Sequence, residues 1–294
     1  MAEKECICDF VPFKSPLAQL HRNLDSPSMK SILNLLKSFK DLSQFGRLPR
    51  AISTAFAFGI FLYPSISQAQ NDSAQLLAPY REAAQKKWTK AIDAFDDLNK
   101  KEIDPSDAIM FIGSSSIRRW ETMAKDMAPY PTIRRGYGGA KFTDMGVFVK
   151  RIVTPHRYRA LVMFIGNGVT GDPKDHTPDQ IEALTRHIVS VSQGHQTKTP
   201  VFLIEITPCQ KRFKAWPKIR AVNSRLREIA LSTPHIYFIP TASNYLKPDG
   251  TPRSELFVED QLHLSEAGYK LWAKLISRRL GDVLPSQIEE NIDK

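Results

Sequence analysis

Ala108-Ile109-Met110-Phe111-Ile112-Gly113-Ser114-Ser115-Ser116-Ile117-Arg118-Arg119-Trp120 is the stretch on which the reading of this chain turns. Its five leading apolar residues read as a buried strand, Gly113 breaks the run, and three hydroxyl residues lead into a helical pattern. In an open α/β sheet, ligands bind outside the carboxyl ends of the strands, where the next helix adds free N–H donors and the positive end of its dipole. A serine held there is placed to be a nucleophile. The same serines also suit a plain helix N-cap, and this stretch alone leaves both readings open.

The far end of the chain favours the chemical one. Phe257-Val258-Glu259-Asp260-Gln261-Leu262-His263-Leu264-Ser265-Glu266-Ala267-Gly268-Tyr269 places an acid shortly before a histidine, just ahead of a strong helix start. In such a loop the carboxylate folds back on the same imidazole, fixing its tautomer and stabilising the imidazolium. Ser115 is followed by Ser116 and Ile117, so the stretch is not the Gly-x-Ser-x-Gly elbow of the α/β-hydrolases.

A strand-Gly-x-Ser early in a domain and an Asp-x-x-His near its end resemble the SGNH hydrolases, also called the GDSL lipase/esterase family, over most of residues 106–284. The resemblance implies Ser115 as nucleophile, His263 as general base and Asp260 as its orienting partner. Arg134-Arg135-Gly136-Tyr137-Gly138-Gly139 resembles the family's second block, which assigns an oxyanion N–H to Gly139. Ile165-Gly166-Asn167-Gly168, after the apolar run Leu161 to Phe164, resembles the third, which assigns an oxyanion amide to Asn167. The Ser115 N–H completes the expected oxyanion hole. Three residues depart from the family pattern: Ser114 stands for the usual Asp, Arg134 for the usual Asn, and Gly168 for a common Asp. The implied activity is hydrolysis of acyl esters, without cofactor or metal. The absence of a long apolar lid segment favours short acyl groups, with O-acetyl groups on carbohydrate among the candidates. A carbohydrate- or envelope-binding relative that has lost activity, and an O-acyltransferase using the same triad, are the alternatives.

Apolar runs at 108–112, 131–134, 160–165, 201–206 and 236–239 alternate with helical patterns at 117–127, 142–152, 178–191, 213–231 and 265–284. This order predicts a three-layer α/β/α sandwich around a mostly parallel five-stranded sheet, with helices on both faces. Ahead of it, Leu76, Leu77, Tyr80, Ala84, Trp88, Ile92, Phe95 and Leu98 recur at helical spacing. The expected organisation is therefore a preface and signal peptide over 1–69, a helix packed on the domain over 70–105, and the hydrolase domain over 106–294.

The signal peptide rests on Arg47-Leu48-Pro49-Arg50, the uncharged run Ala51 to Ile66, and the small-x-small site Ser67-Gln68-Ala69. Cleavage is expected near Ala69/Gln70, with export to the periplasm or medium; a retained segment would instead tether the protein to the membrane. Met1 and Met29 both stay open as the start. Of the three cysteines, Cys6 and Cys8 fall in the preface, so Cys209 has no partner for an internal disulfide in the mature chain. The net charge of +10 lies mostly beyond residue 69, but no nucleic-acid recognition motif accompanies it. His156, His176, His187, His195 and His235 lack paired ligand spacing and read as surface or capping residues. Trp120, Trp216 and Trp272 have the chemistry to stack on sugar rings, although Trp272 has core-like neighbours.

Overall fold

The computed structural model describes residues 50–284. The expected preface up to residue 49, with Cys6, Cys8 and Met29, and the tail at 285–294 lie outside the described residues. The chain divides into two units, residues 1–67 and 68–294, and the second holds the sheet.

Five strands, β1 (Ile109–Gly113), β2 (Thr132–Gly136), β3 (Ala160–Phe164), β4 (Val201–Ile204) and β5 (Ile236–Ile239), form one sheet in the order β2-β1-β3-β4-β5. Every pairing is parallel, so the mostly parallel expectation becomes an all-parallel sheet. Because β1 has a neighbour on each side and layers above and below, all five of its residues are buried. Strand alternation splits them: Met110 and Ile112 join one core cluster, Ile109 and Phe111 the other.

The first cluster is covered by residues 76–95 of α1 (Arg50–Asn99), and by α4 (Phe142–Val153), α5 (Pro178–His195) and α6 (Trp216–Ser232), through Leu77, Phe142, Ile181 and Ile219 among others. The second is covered by α2 (Ser115–Arg118), α3 (Met123–Asp126) and α8 (Glu266–Gly281), through Ile117, Met123 and Trp272. A short turn, α7 (Ala242–Tyr245), follows β5. Two helix starts expected from sequence are capped as the chemistry predicts: Thr177 accepts from Gln180 N–H at 3.2 Å, and Ser265 from Gly268 N–H at 3.2 Å. The amphipathic face over 70–105 packs on the domain through Leu77, Ala84 and Ile92. It is pinned at its end by the buried Arg135, which donates to Asn99 Oδ1 at 2.7 Å and Glu102 Oε2 at 2.9 Å.

The single helix expected over 117–127 is two separate turns, α2 and α3. The cause is local. Trp120 turns fully inward, stacks on Tyr269 and gives its indole N–H to Asp126 at 2.8 Å. Arg134 then takes the Arg118 and Trp120 carbonyls, at 3.1 and 2.7 Å, which a continuing helix would have needed for itself. Trp120 and Trp272 are both fully buried, so neither is a platform for sugar. His156 is also not a surface residue: it is 2% exposed and bonds Asp104 through Nδ1.

Candidate active site

Three adjacent strands finish level with one another, since Gly113 is in register with Gly136 on one side and Phe164 on the other. The loops that leave this shared edge carry Ser115, Gly139 and Asn167. Gly113 is required where it stands. Its φ is +150°, and a Cβ there would lie 2.0 Å from the Phe164 carbonyl oxygen, to which Ser114 N–H must also donate at 3.0 Å. The chain thus turns sharply and opens α2 with Ser115 as its first residue. Ser114 and Ser116 are 2% and 9% exposed, and Ser115 alone of the three is more open.

His263 reaches this serine from a loop 148 residues away, with Nε2 at 2.9 Å from Ser115 Oγ. Its Nδ1 lies 2.6 Å from Asp260 Oδ2. The other oxygen of Asp260 accepts the backbone N–H groups of Leu262 and His263, each at 2.9 Å. Partial burial pushes the Asp260 carboxyl up, but the His263 N–H, the His263 ring and the Leu262 N–H outweigh it and bring the value down to about 2. The carboxylate is therefore ionised at neutral pH and can only accept, so the Nδ1 nitrogen carries the imidazole proton and Nε2 is left as the acceptor for the Ser115 hydroxyl. The loop is closed by a Phe257–Leu264 bridge and by Val258 N–H donating to the His263 carbonyl at 2.9 Å. Arg119 adds a guanidinium 3.7 Å from Asp260.

Asn167 lines the same small cavity as Ser115 and His263. Its Nδ2 donates to the Ala140 carbonyl at 3.2 Å, and Lys141 and Asn167 form a β-bridge, tying the loop after β3 to the loop after β2. Gly139 lies on that second loop with φ +80°, and its N–H makes no backbone hydrogen bond among the described residues. It is not part of the cavity lining; the Trp88 ring of α1 lies 3.6 Å from where its Cβ would be. The cavity, also walled by Phe164, Thr207 and Arg212, measures about 30 Å³ where one water needs roughly 10–15 Å³. Among the described residues, no group of three His, Cys, Asp or Glu side chains is placed to hold a metal ion.

Three contributors escaped the sequence reading. Arg134, noticed only as a departure, holds the carbonyls that follow the serine turn. Trp88, taken as one apolar position in a helix, backs the Gly139 loop. Arg212 donates to the Gly166 carbonyl at 2.6 Å and to Asn167 Oδ1 at 2.7 Å. Its only sequence signal is that it follows β4 at the carboxyl edge of the sheet, where loops carry ligand-facing groups.

No family description matches the sequence, and no curated protein does. Solved structures do. A GDSL-like lipase from Bacteroides thetaiotaomicron is 17% identical, with 66% of this chain and 98% of that one covered and a TM-score of 0.56. A protein described as an acylhydrolase from Bacteroides fragilis is 19% identical, over 64% and 95%, also at 0.56. One described as a platelet activating factor from Streptococcus pneumoniae is 21% identical, over 73% and 99%, at 0.55. The likeness is one of fold, and that fold is the three-layer architecture shared by GDSL-like lipases and acylhydrolases.

Proposed function

We propose that this chain, whose fold is that of the SGNH hydrolases, is a serine esterase with Ser115, His263 and Asp260 as its triad. The observation that carries the reading is the hydrogen-bonded line from Ser115 Oγ through the His263 ring to Asp260, at 2.9 and 2.6 Å. A nucleophile, a base within reach of its proton and a group that orients the base are what acyl transfer needs.

In this mechanism His263 Nε2 removes the Ser115 proton as Oγ attacks the ester carbonyl. The negative charge on the tetrahedral intermediate is met by the N–H groups of Ser115 and Gly139 and by the Asn167 amide. His263 returns the proton to the departing alcohol. Water, deprotonated by the same imidazole, then releases the acyl group. Asp260 stays ionised throughout and stabilises the imidazolium that forms twice per cycle.

The small cavity beside Ser115 supports short acyl groups, with O-acetyl esters of carbohydrates as the proposed physiological class. Export is proposed with it, on the basic flank, apolar run and Ala69 site; mature protein recovered outside the cytoplasm should begin near Gln70. The function is tested with 4-nitrophenyl acetate and then with an O-acetylated polysaccharide. Turnover that vanishes in Ser115→Ala supports the proposal, together with a fluorophosphonate adduct on the Ser115 peptide. Absence of turnover and of labelling in the unmodified protein rejects it.

A further inference from the structure

We propose that Arg212 is a positioning residue for this site, locking the Asn167 amide so that its nitrogen serves the oxyanion and coupling the guanidinium charge to that amide. The inference rests on the esterase reading above.

An arginine side chain has only donors. The Asn167 atom 2.7 Å from Arg212 Nη2 must therefore be the oxygen, which leaves the amide nitrogen to donate to Ala140 O at 3.2 Å. Turning the amide over would set its NH₂ against the guanidinium and its oxygen against a carbonyl, losing both bonds and creating two repulsive contacts. The orientation of Asn167 is thus chemically determined. Its second N–H has no partner among the described residues, and the side chain lines the cavity shared with Ser115 and His263. An oxyanion donor must be held in advance of the reaction, because stabilisation costs least when no dipole has to reorient.

Arg212 holds more than the side chain. Its Nη1 takes the Gly166 carbonyl at 2.6 Å, so one planar fork grips two consecutive residues of the loop. It projects from the 3₁₀ segment Gln210–Ala215 after β4, at a residue with non-helical φ and ψ of −117° and 15°. A third strand end is thereby tied to the two that carry Ser115 and Asn167. Among the described residues no ion pair within 4.0 Å holds this partly buried guanidinium, although the Asp175 carboxylate acts on it from farther off. A desolvated cation without a contacting counter-ion is costly. Here it contacts the oxygen of the amide proposed to meet the oxyanion, and it polarises the Asn167 carbonyl so that the N–H donates more strongly.

The test is steady-state hydrolysis of 4-nitrophenyl acetate by the unmodified protein, Arg212→Met, Arg212→Lys, Asn167→Ala and the Arg212→Met/Asn167→Ala double variant, with thermal melting of each. Expected is a kcat about 10- to 100-fold lower in Arg212→Met with KM within about twofold, since the lost interaction acts in the transition state. Arg212→Lys, which keeps the charge and one bond, should fall between. In the Asn167→Ala background, Arg212→Met should cost less than about threefold further, because a residue acting through another adds little once that other is gone. A purely structural role would not give that non-additivity. Losses that multiply in the double variant, or a full kcat in Arg212→Met, overturn the proposal. So does an effect on KM alone that grows with a carboxylate-bearing ester, which would make Arg212 a substrate anchor. If Arg212→Met does not fold, Arg212→Lys and its combination with Asn167→Ala decide by the same criteria. An unmodified protein without Ser115-dependent turnover removes the esterase reading and this inference together, whereas an active protein indifferent to Arg212 removes this inference alone.

Discussion

Ser115 Oγ and His263 Nε2 lie 2.9 Å apart although 148 residues separate them. The meeting follows from the sheet. β1 is second from one edge and delivers Ser115 at its carboxyl end, while the loop between Phe257 and Leu264 is folded on itself by their bridge and led into α8, which packs beneath the same edge through Trp272.

Among the three serines, only Ser115→Ala should abolish hydrolysis, by about a millionfold in kcat, the cost typical of losing the nucleophile of a working triad. Ser114→Ala and Ser116→Ala should retain most turnover, because both side chains are buried and, of the three serines, only Ser115 hydrogen-bonds the His263 ring. Rates on 4-nitrophenyl acetate and the site of fluorophosphonate labelling check this; a dead Ser116→Ala beside an active Ser115→Ala would shift the nucleophile by one residue.

Asp260→Asn should lower kcat by about 10⁴-fold, since an amide in place of the carboxylate stabilises the wrong imidazole tautomer. Stability should respond to pH as well. The folded value of Asp260, about 2, lies below its ordinary 3.8, so its contribution is fully present above about pH 4 and is lost as pH falls through about 2. The gap in melting temperature between the unmodified protein and Asp260→Asn should therefore shrink across that window. A gap that stays constant from pH 5 to pH 2, by about that span of the titration, would contradict the depressed value.

Asn167→Ala should lower kcat by about a hundred- to a thousandfold with KM little changed, as for loss of one oxyanion donor. It should also lower the melting temperature. A lowered melting temperature by itself does not separate an oxyanion donor from a turn residue, because Asn167 bonds both Ala140 and Arg212, and each lost bond is worth about 1 kcal/mol. Kinetics and thermal melting on one variant read both effects; unchanged kcat would take Asn167 out of the chemistry.

Trp88→Ala should cost about 2 kcal/mol of stability, less than for a fully buried tryptophan, and should also reduce kcat. Trp88 packs edge-to-face on Tyr137 with centroids 5.2 Å apart and backs Gly139. Denaturant unfolding and turnover on 4-nitrophenyl acetate test whether the helix ahead of the domain supports the oxyanion loop; a stability loss with kcat intact would confine Trp88 to packing.

Gly113→Ala should fail to give a stable protein, or should lose both folding stability and activity, because the added methyl falls 2.0 Å from the Phe164 oxygen. Soluble, active Gly113→Ala would show that the strand end can move apart at no cost to the site.

Much of this molecule was legible in the order of its residues. Apolar runs separated by amphipathic stretches specify an α/β sandwich because a strand buried on both faces must be continuously apolar, and Ile109 to Ile112 satisfy that locally. The Asp260–His263 pairing was legible for the same reason: a short loop brings the two groups together whatever the rest of the chain does. Tertiary structure alone decided the rest. That β1 sits between β2 and β3, so that Gly113, Gly136 and Phe164 end level, is a property of strand pairing. That Trp120 turns inward and Arg134 takes the carbonyls beyond it, breaking an expected helix, depends on partners remote in sequence. Arg212 is the clearest case: nothing within Gln210–Ala215 marks it as facing the site rather than solvent, since local sequence records which groups can donate hydrogen bonds, while only the packing of β3 against β4 decides which one meets the Asn167 oxygen.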